Sequence, residues 1–431
     1  MRTVRLALLG ALAVLALPSG ALAAPGGSDD AARAVPGEIL VGFTAGATAT
    51  DRQRVAGKAR AAGRERLTRA DARAERFVLK AGRHNSSAID AVRSDSAVAY
   101  AEPNWRVGAV ATSNDPYWTN GSLWGMGGGY GSRASEAWSA GHTGSASVYV
   151  GVIDEGIQYS HPDLSGNVGN PKEVTDGRDN DGNGYVDDVN GWDFVRNDNT
   201  VYDGGTGGNA DDHGTHVSGT IDGKGGNGIG VAGVNWSAKL ISGKFLGRNG
   251  GTTANAVRAV DYFSGLKARG VPIVALNNSW GGGGYSQALY DAIRRANAAD
   301  ILFVAAAGNS GTNNDTTASY PSNYALPNVI AVAAIDRNGA LASFSQYGAR
   351  TVDLGAPGVG VWSTTAFNTY SSYSGTSMAT PHVTGAAALY KSTHPTATAA
   401  QIKSAILSSV TPTASLTGRT VTGGRLNAAG F

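Results

Sequence analysis

The sequence predicts an α/β fold, a mainly parallel sheet with helices on both faces, preceded by a small α+β unit. Three observations carry this. Between residues 147 and 408, short apolar runs alternate with segments of helical period, and strand–helix alternation implies parallel strands covered on both sides. Residues 38–101 instead give short elements in the order β-α-β-β-α-β. Finally, 431 residues contain no cysteine, so stability must come from a large core or from another staple such as bound metal.

Met1-Arg-Thr-Val-Arg5, the apolar run Leu6–Leu17 and the small-residue site Ala21-Leu22-Ala23 have the form of a secretory signal peptide, residues 1–23. The run is too short to span a bilayer, and no later stretch spans one without charges or glycines. A secreted, extracellular monomer with no membrane partner is expected. Residues 25–35 read as a flexible lead. Glu38–Phe43 then reads as a strand, Ala49–Ala62 as a helix and Arg64–Thr68 as a weak strand. Ala74–Leu79 follows as a strand, Ser86–Ser94 as a helix capped by Ser86 or Ser87, and Val98–Ala101 as a last strand. The order is ferredoxin-like. A unit this small is expected to dock on its neighbour rather than work alone.

The net charge of +2 hides a split. Residues 24–107 hold 14 Lys+Arg against 10 Asp+Glu, and residues 108–431 hold 19 against 23. The arginines between Arg52 and Arg83 alternate with Ala and Glu, and aromatics are nearly absent. A solvated helix face fits better than a nucleic-acid surface, which would need stacking platforms.

Ser113-Asn-Asp-Pro-Tyr117 marks the entry to the larger unit. Strands are read at Ser147–Asp154, Lys239–Leu246, Val271–Asn277, Ile301–Ala306 and Val329–Ile335. Helices are read at Thr253–Ala268, Ser286–Ala298, Met378–Ser392 and Thr398–Ser408. In such sheets functional groups gather beyond the carboxyl ends of strands, where Asp154, Asn277–Gly281 and Gly308–Asn309 stand.

The stretch 374–385, Ser-Gly-Thr-Ser-Met-Ala-Thr-Pro-His-Val-Thr-Gly, delivers Ser377 to the first turn of an apolar helix. Unpaired N–H groups and the helix dipole favour negative charge there, and Pro381 is tolerable in a first turn. Alone, the stretch also fits a serine capping a core helix. Serine attack on a carbonyl needs a base, a carboxylate that orients it and donors for the oxyanion. Of seven histidines, His213 in Asp-Asp-His-Gly-Thr-His-Val opens a small-residue helix beside glycine and can face a cleft. His216, three residues on, could share its face, and a metal pair is the alternative, although helical zinc pairs want a spacing of four. His382 is expected to point into the packing. Asp154 ends an apolar strand, and Asn309 in Ala-Ala-Gly-Asn-Ser-Gly could donate to an oxyanion. Each taken alone is also a turn residue.

Val-Ile-Asp-Glu-Gly-Ile (152–157), His-Gly-Thr-His-Val (213–217), Ala-Ala-Gly-Asn-Ser-Gly (306–311) and Gly-Thr-Ser-Met-Ala-Thr-Pro-His-Val (375–383) resemble the four ordered signature blocks of subtilisin-like serine peptidases. The resemblance covers roughly residues 113–431, which places the catalytic domain at 114–431. It implies Asp154 as orienter, His213 as general base, Ser377 as nucleophile and Asn309 as oxyanion donor beside the Ser377 N–H. Residues 36–107 resemble the family's inhibitory propeptide, an intramolecular inhibitor cleaved in cis. Protein and peptide substrates would add as a strand between Gly247–Thr252 and Asn278–Gly282, with Gly250, Gly251, Ser279, Trp280 and Gly281 in contact and Ser319 at the base of the primary pocket. No acid stands at the matching wall positions, so broad cleavage after apolar or medium side chains is expected.

Asp179, Asp181, Asn183, Asp187 and Asp188 fall in a loop like Asp-x-Asp-x-Asn-Gly, whose alternate oxygens and glycine turn suit Ca2+; an acidic surface turn is the alternative. Position twelve of that loop is Asn190 rather than Glu, so closure would come from Asp187 or Asp188. By resemblance alone, Asp115, Asp163 and Asn227, with the carbonyls of Ile229 and Val231, match the family's N-terminal calcium site. Asp193 and Asp198 match a second one found in thermitase-like members, with Tyr202 where a side-chain ligand would stand. A silent calcium-dependent binding protein and a processing enzyme for one partner are the competing readings.

Overall fold

The structure is a computed structural model that describes residues 34–67, 73–105, 112–206 and 210–431. The signal-peptide reading, residues 1–23, lies outside the described residues. The chain forms two compact units, Met1–Val107 and Gly108–Phe431.

In the first unit, β1 (Ala34–Phe43), α1 (Ala49–Ala59), β2 (Ala61–Arg66), β3 (Ala74–Leu79), α2 (Asn85–Val92) and β4 (Val98–Trp105) follow in chain order. The sheet order is β2-β3-β1-β4, with β1 antiparallel to both its neighbours, as a ferredoxin-like unit requires. Ile39, Val41, Phe77, Val55 and Val92 form its core. The expected helix to Ala62 stops at Ala59 because Arg60 turns left-handed at φ 59°. The second helix starts at Asn85, and neither Ser86 nor Ser87 caps it. Its N-cap is His84, without a side-chain bond, while the Asn85 amide holds Gly37 N–H at 2.8 Å and the Val35 carbonyl at 2.9 Å. That tie draws the supposed lead into β1 from Ala34.

The second unit contains β5 (Tyr149–Asp154), β6 (Gly191–Asp193), α3 (Asp212–Asp222), β7 (Lys239–Lys244), α4 (Thr253–Ala268), β8 (Ile273–Asn278), α5 (Gln287–Ala298), β9 (Leu302–Ala306) and β10 (Val329–Ile335). After these come β11 (Leu354–Pro357), the hairpin β12 (Val361–Thr365) and β13 (Thr369–Tyr373), α6 (Thr376–Thr393), α7 (Ala399–Ser409), β14 (Thr411–Pro412) and β15 (Gly424–Arg425). The sheet order is β14-β15-β11-β10-β9-β8-β5-β7-β6, parallel throughout except for β14 at one edge. Period-two alternation sends Val150 and Val152 of β5 to one core with Val217 and Val383. Tyr149 and Ile153 go to the other, with Phe263 and Ile293. Ser286 and Thr398 accept from the helix amides of Leu289 and Gln401, which sets where α5 and α7 begin.

Asp222 closes α3 fully buried, and neither carboxyl oxygen meets a partner of good geometry among the described residues. Burial holds its pKa well above the usual carboxylate range, against the weaker pull of the Lys239 charge and the Ala238 N–H. The folded state therefore keeps a proton that the unfolded chain releases near pH 4, and stability falls as pH rises from there towards the folded pKa. In an inactive Ser377→Ala background, Asp222→Asn is expected to raise Tm by several degrees at pH 8 and leave it within a degree at pH 4. Thermal unfolding at both pH values checks this.

Candidate active site

Asp154 is the last residue of β5. From β5 the chain adds β7 on one side and next β8 on the other, and this change of winding direction is where α/β sheets open a crevice beyond the carboxyl ends of their strands. The Asp154 side chain is 1 % exposed, and its Oδ1 accepts from His213 Nδ1 at 2.8 Å and from the Glu155 N–H at 2.8 Å. A carboxylate only accepts, so the bond puts the imidazole proton on Nδ1 and leaves Nε2 as the basic nitrogen. Burial opposes the imidazolium, but the charge and hydrogen bond of Asp154, with the charge of Glu155, outweigh it and push the His213 pKa up to about 9.

His213 is the second residue of α3. The residue before that helix, Asp211, is left-handed at φ 58°, and Lys244 pins its carboxylate at 2.5 Å while reaching Asp203 at 2.8 Å. His216 does not share the cleft. It is buried, stacks on Tyr373 at 4.6 Å, and sets Nε2 against the carbonyls of Val361 (2.9 Å) and Ser371 (3.2 Å). Burial pushes its pKa down to about 3. These partners occupy its Nε2, and the ring is absent from the lining of the cavity that His213 faces. His382 is buried with Nδ1 on the Met378 carbonyl at 2.9 Å.

Ser377 is the second residue of α6. Because α6 starts at Thr376, Pro381 is its sixth residue and not in the first turn as the sequence suggested. Proline there has no N–H for the carbonyl four residues back, which belongs to Ser377. Ser279 Oγ donates to that carbonyl at 2.8 Å instead, and Ser377 Oγ donates to the Ser279 carbonyl at 3.0 Å. The hydroxyl thus rests on Ser279, beside a cavity of about 370 Å3 lined by His213, Asn309, Tyr373, Gly375, Ser377 and Met378. Asn309 Oδ1 accepts from Thr376 N–H and Oγ1, both at 2.9 Å, which turns its NH2 the other way. A Cβ placed on Gly375 would lie 3.5 Å from Asn309 Nδ2 and 3.6 Å from Ser377 N, so the two donors converge on one region.

The residues expected to meet substrate do not line this cavity. Gly250–Gly251 pair with Leu246–Gly247 in an exposed hairpin, with Gly250 at φ 82°. The side chain of Ser279 serves α6, as described above. Trp280 packs edge-on against Phe245 at 4.8 Å. A Cβ on Gly281 would approach the Tyr320 carbonyl at 3.3 Å, and Gly283 bridges Tyr320, which brings the 281–283 segment alongside Ser319.

Among the acidic residues, Glu173, Asp181 and Asp188 place oxygens within 4.8 Å of one another. Glu173 Oε2 and Asp188 Oδ1 are buried without partners among the described residues, and burial raises both pKa values, as expected of oxygens that suit a hard cation. Asn183 donates to Asp188 at 2.9 Å. Asp179 and Asp187 lie outside that three-residue cluster. Asp179 accepts from the amides of Asn183 and Gly184, and Asp187 from those of Asp176 and Gly177, so both shape the loop. Glu173 was missed because it precedes the acidic run. Asp163 accepts from Asn227 Nδ2 and Val231 N–H, both at 2.8 Å. Asp115, also buried, accepts from Gly226 and Gly228 N–H of the same loop. Asp193 and Asp198 face each other across an antiparallel bridge, with Asp193 Oδ2 buried and without a partner among the described residues. Tyr202 accepts instead from Phe367 N–H.

Residues 145–429 match the model of the subtilase family, and residues 23–104 match that of the fervidolysin N-terminal prodomain. The chain is 36% identical over 316 residues to a thermophilic serine proteinase of Bacillus sp. (strain AK1), covering 73% of this chain and 68% of that protein. It is 39% identical over 280 residues to subtilisin DY of Bacillus licheniformis, covering 65% and 89%. A solved protease from Pseudoalteromonas arctica superposes with a TM-score of 0.59 at 31% identity, covering 74% of this chain and 98% of that one.

The His213 ring is expected to titrate above pH 6.5 in a Ser377→Ala background, and Asp154→Asn is expected to lower that midpoint by a unit or more. Histidine ring NMR across pH 5–10 checks both.

Proposed function

The chain belongs to the subtilase family of serine peptidases, with a prodomain ahead of the peptidase, and from that premise we propose that it is a secreted endopeptidase of broad specificity acting through Asp154, His213 and Ser377. One observation carries the reading: the 2.8 Å Asp154–His213 bond ends at the cavity that Ser377 and Asn309 also line. Ser377 Oγ, turned from the Ser279 carbonyl, attacks the substrate carbonyl while His213 Nε2 takes its proton. Asp154 holds Nδ1–H and stabilises the imidazolium. The oxyanion lies between the Ser377 N–H, at the positive end of α6, and Asn309 Nδ2. As the tetrahedral intermediate collapses, the proton passes to the departing amine. Water then repeats the cycle on the acyl-enzyme.

The signal peptide is placed at 1–23, the inhibitory propeptide at 36–107 and the catalytic domain at 114–431. The apolar leader Leu6–Leu17 supports secretion, and no helix among the described residues is long and apolar enough to cross a membrane. Gly250, Gly251, Trp280, Gly281 and Ser319 are assigned to substrate through backbone pairing and the primary pocket. Ser279 is assigned to holding α6. The absence of an acid at the wall positions supports cleavage after apolar or medium side chains. Calcium is the structural cofactor, held by Glu173, Asp181 and Asp188, by Asp115, Asp163 and Asn227, and by Asp193 with Asp198. Its role is to neutralise buried carboxylates that otherwise repel.

Ser377→Ala is expected to leave the propeptide attached and to lower casein hydrolysis ~10^6-fold. Asn309→Ala is expected to lower kcat by about 10^2–10^3 with KM little changed. Gel analysis of maturation and initial rates test these, and autonomous maturation of pure Ser377→Ala protein would end the assignment. Chelation of calcium from that inactive protein is expected to lower Tm by about 10 °C, from about 4 kcal/mol of ligand stabilisation. Asp188→Asn is expected to shrink the drop, read by calorimetry with and without chelator.

A further inference from the structure

Glu155, which follows Asp154, has no place in the mechanism above, yet it touches the general base. Its Oε1 accepts the backbone N–H of His213 at 2.5 Å. Helix α3 needs that partner. Its own N-cap, Asp211, makes no side-chain cap bond, because its carboxylate is held by Lys244 and by the Asp203 N–H. The first amides of a helix lack intrahelical acceptors, and a carboxylate set against them is favoured by both the hydrogen bond and the helix dipole. Glu155 therefore caps α3 from just beyond the end of β5, at the residue that carries the imidazole.

The other charges facing His213 sharpen the point. Asp154 approaches from β5. On its own helix, Asp212 is turned to the Ala366 N–H at 3.0 Å and His216 is buried and neutral. From the hairpin, Tyr373 lines the same cavity. The nearby cation, Lys244, is buried in its pairs with Asp203 and Asp211. A negative charge on Glu155 thus acts on the imidazolium across a partly buried path, with no ion pair to Glu155 among the described residues.

We propose that Glu155 is a positioning residue for the general base: its carboxylate anchors the His213 backbone and its charge stabilises the imidazolium formed when His213 takes the Ser377 proton. This rests on the triad assignment. Its charge lies beside Asp154, and burial together with the Asp154 charge raises the Glu155 pKa above the ordinary carboxylate value.

The test compares Glu155→Gln, which keeps an acceptor and removes the charge, with Glu155→Asp, which keeps the charge, in matured enzyme. Charge removal is expected to move the acid limb of kcat/KM down by about half a pH unit or more, and Glu155→Asp to return it towards wild type. A residue that only supported the fold would lower activity without moving the limb. If maturation of Glu155→Gln fails, the His213 ring midpoint is read by NMR in Ser377→Ala protein with and without Glu155→Gln, with the same downward shift expected. An unmoved limb, or an unmoved ring midpoint, overturns the proposal. With Ser377→Ala inactive in the same assay, that result leaves the triad standing. An active Ser377→Ala enzyme would instead sink the triad itself.

Discussion

A carboxylate at the buried end of a central parallel strand is the constraint on which the site depends. Asp154 is nearly inaccessible, and one of its oxygens has no partner among the described residues, so its charge is tolerable only if a cation can form beside it. His213 is that latent cation. The strand is fixed on both sides by β7 and β8, and the helix bearing His213 is fixed by Lys244, whose strand position pairs with Asp154 itself. The register that places Asp154 at the sheet edge thus also sets the anchor for the histidine loop.

Ser377, the proposed nucleophile, is set by a second, independent device. Pro381 deprives the Ser377 carbonyl of its helical partner, and Ser279 at the end of β8 supplies the missing donor. One strand end therefore fixes the helix that presents Ser377, while the adjoining strand end presents Asp154. Asn309, beyond β9, locks the first turn of the same helix through Thr376. Three neighbouring strands converge on one helix N-terminus, where a developing negative charge is favoured.

Much of this was legible in the sequence, for stated reasons. Strands buried on both faces are unbroken apolar runs, so β5, β9 and β10 stood out, and α4, α5 and α7 carried hydroxyl caps. β11, Leu-Gly-Ala-Pro, is too short and too interrupted to read as a strand. The hairpin β12–β13 is rich in serine, threonine and tyrosine without clean alternation. Ser279 was read as a substrate contact because nothing local reveals that Pro381 has left a carbonyl unpaired 98 residues away. Glu173 and Glu155 were missed because their partners, Asp188 and the His213 amide, are brought to them only by the tertiary fold.

The most direct measurement of the central claim is the site of covalent capture by a serine-directed fluorophosphonate. Matured enzyme is labelled to completion, digested and sequenced by mass spectrometry. The account predicts one adduct, on the peptide containing Ser377, forming in step with loss of peptidase activity and faster as pH rises through the His213 titration. An adduct on another residue that tracks the loss of activity, or full activity with Ser377 labelled, would contradict it.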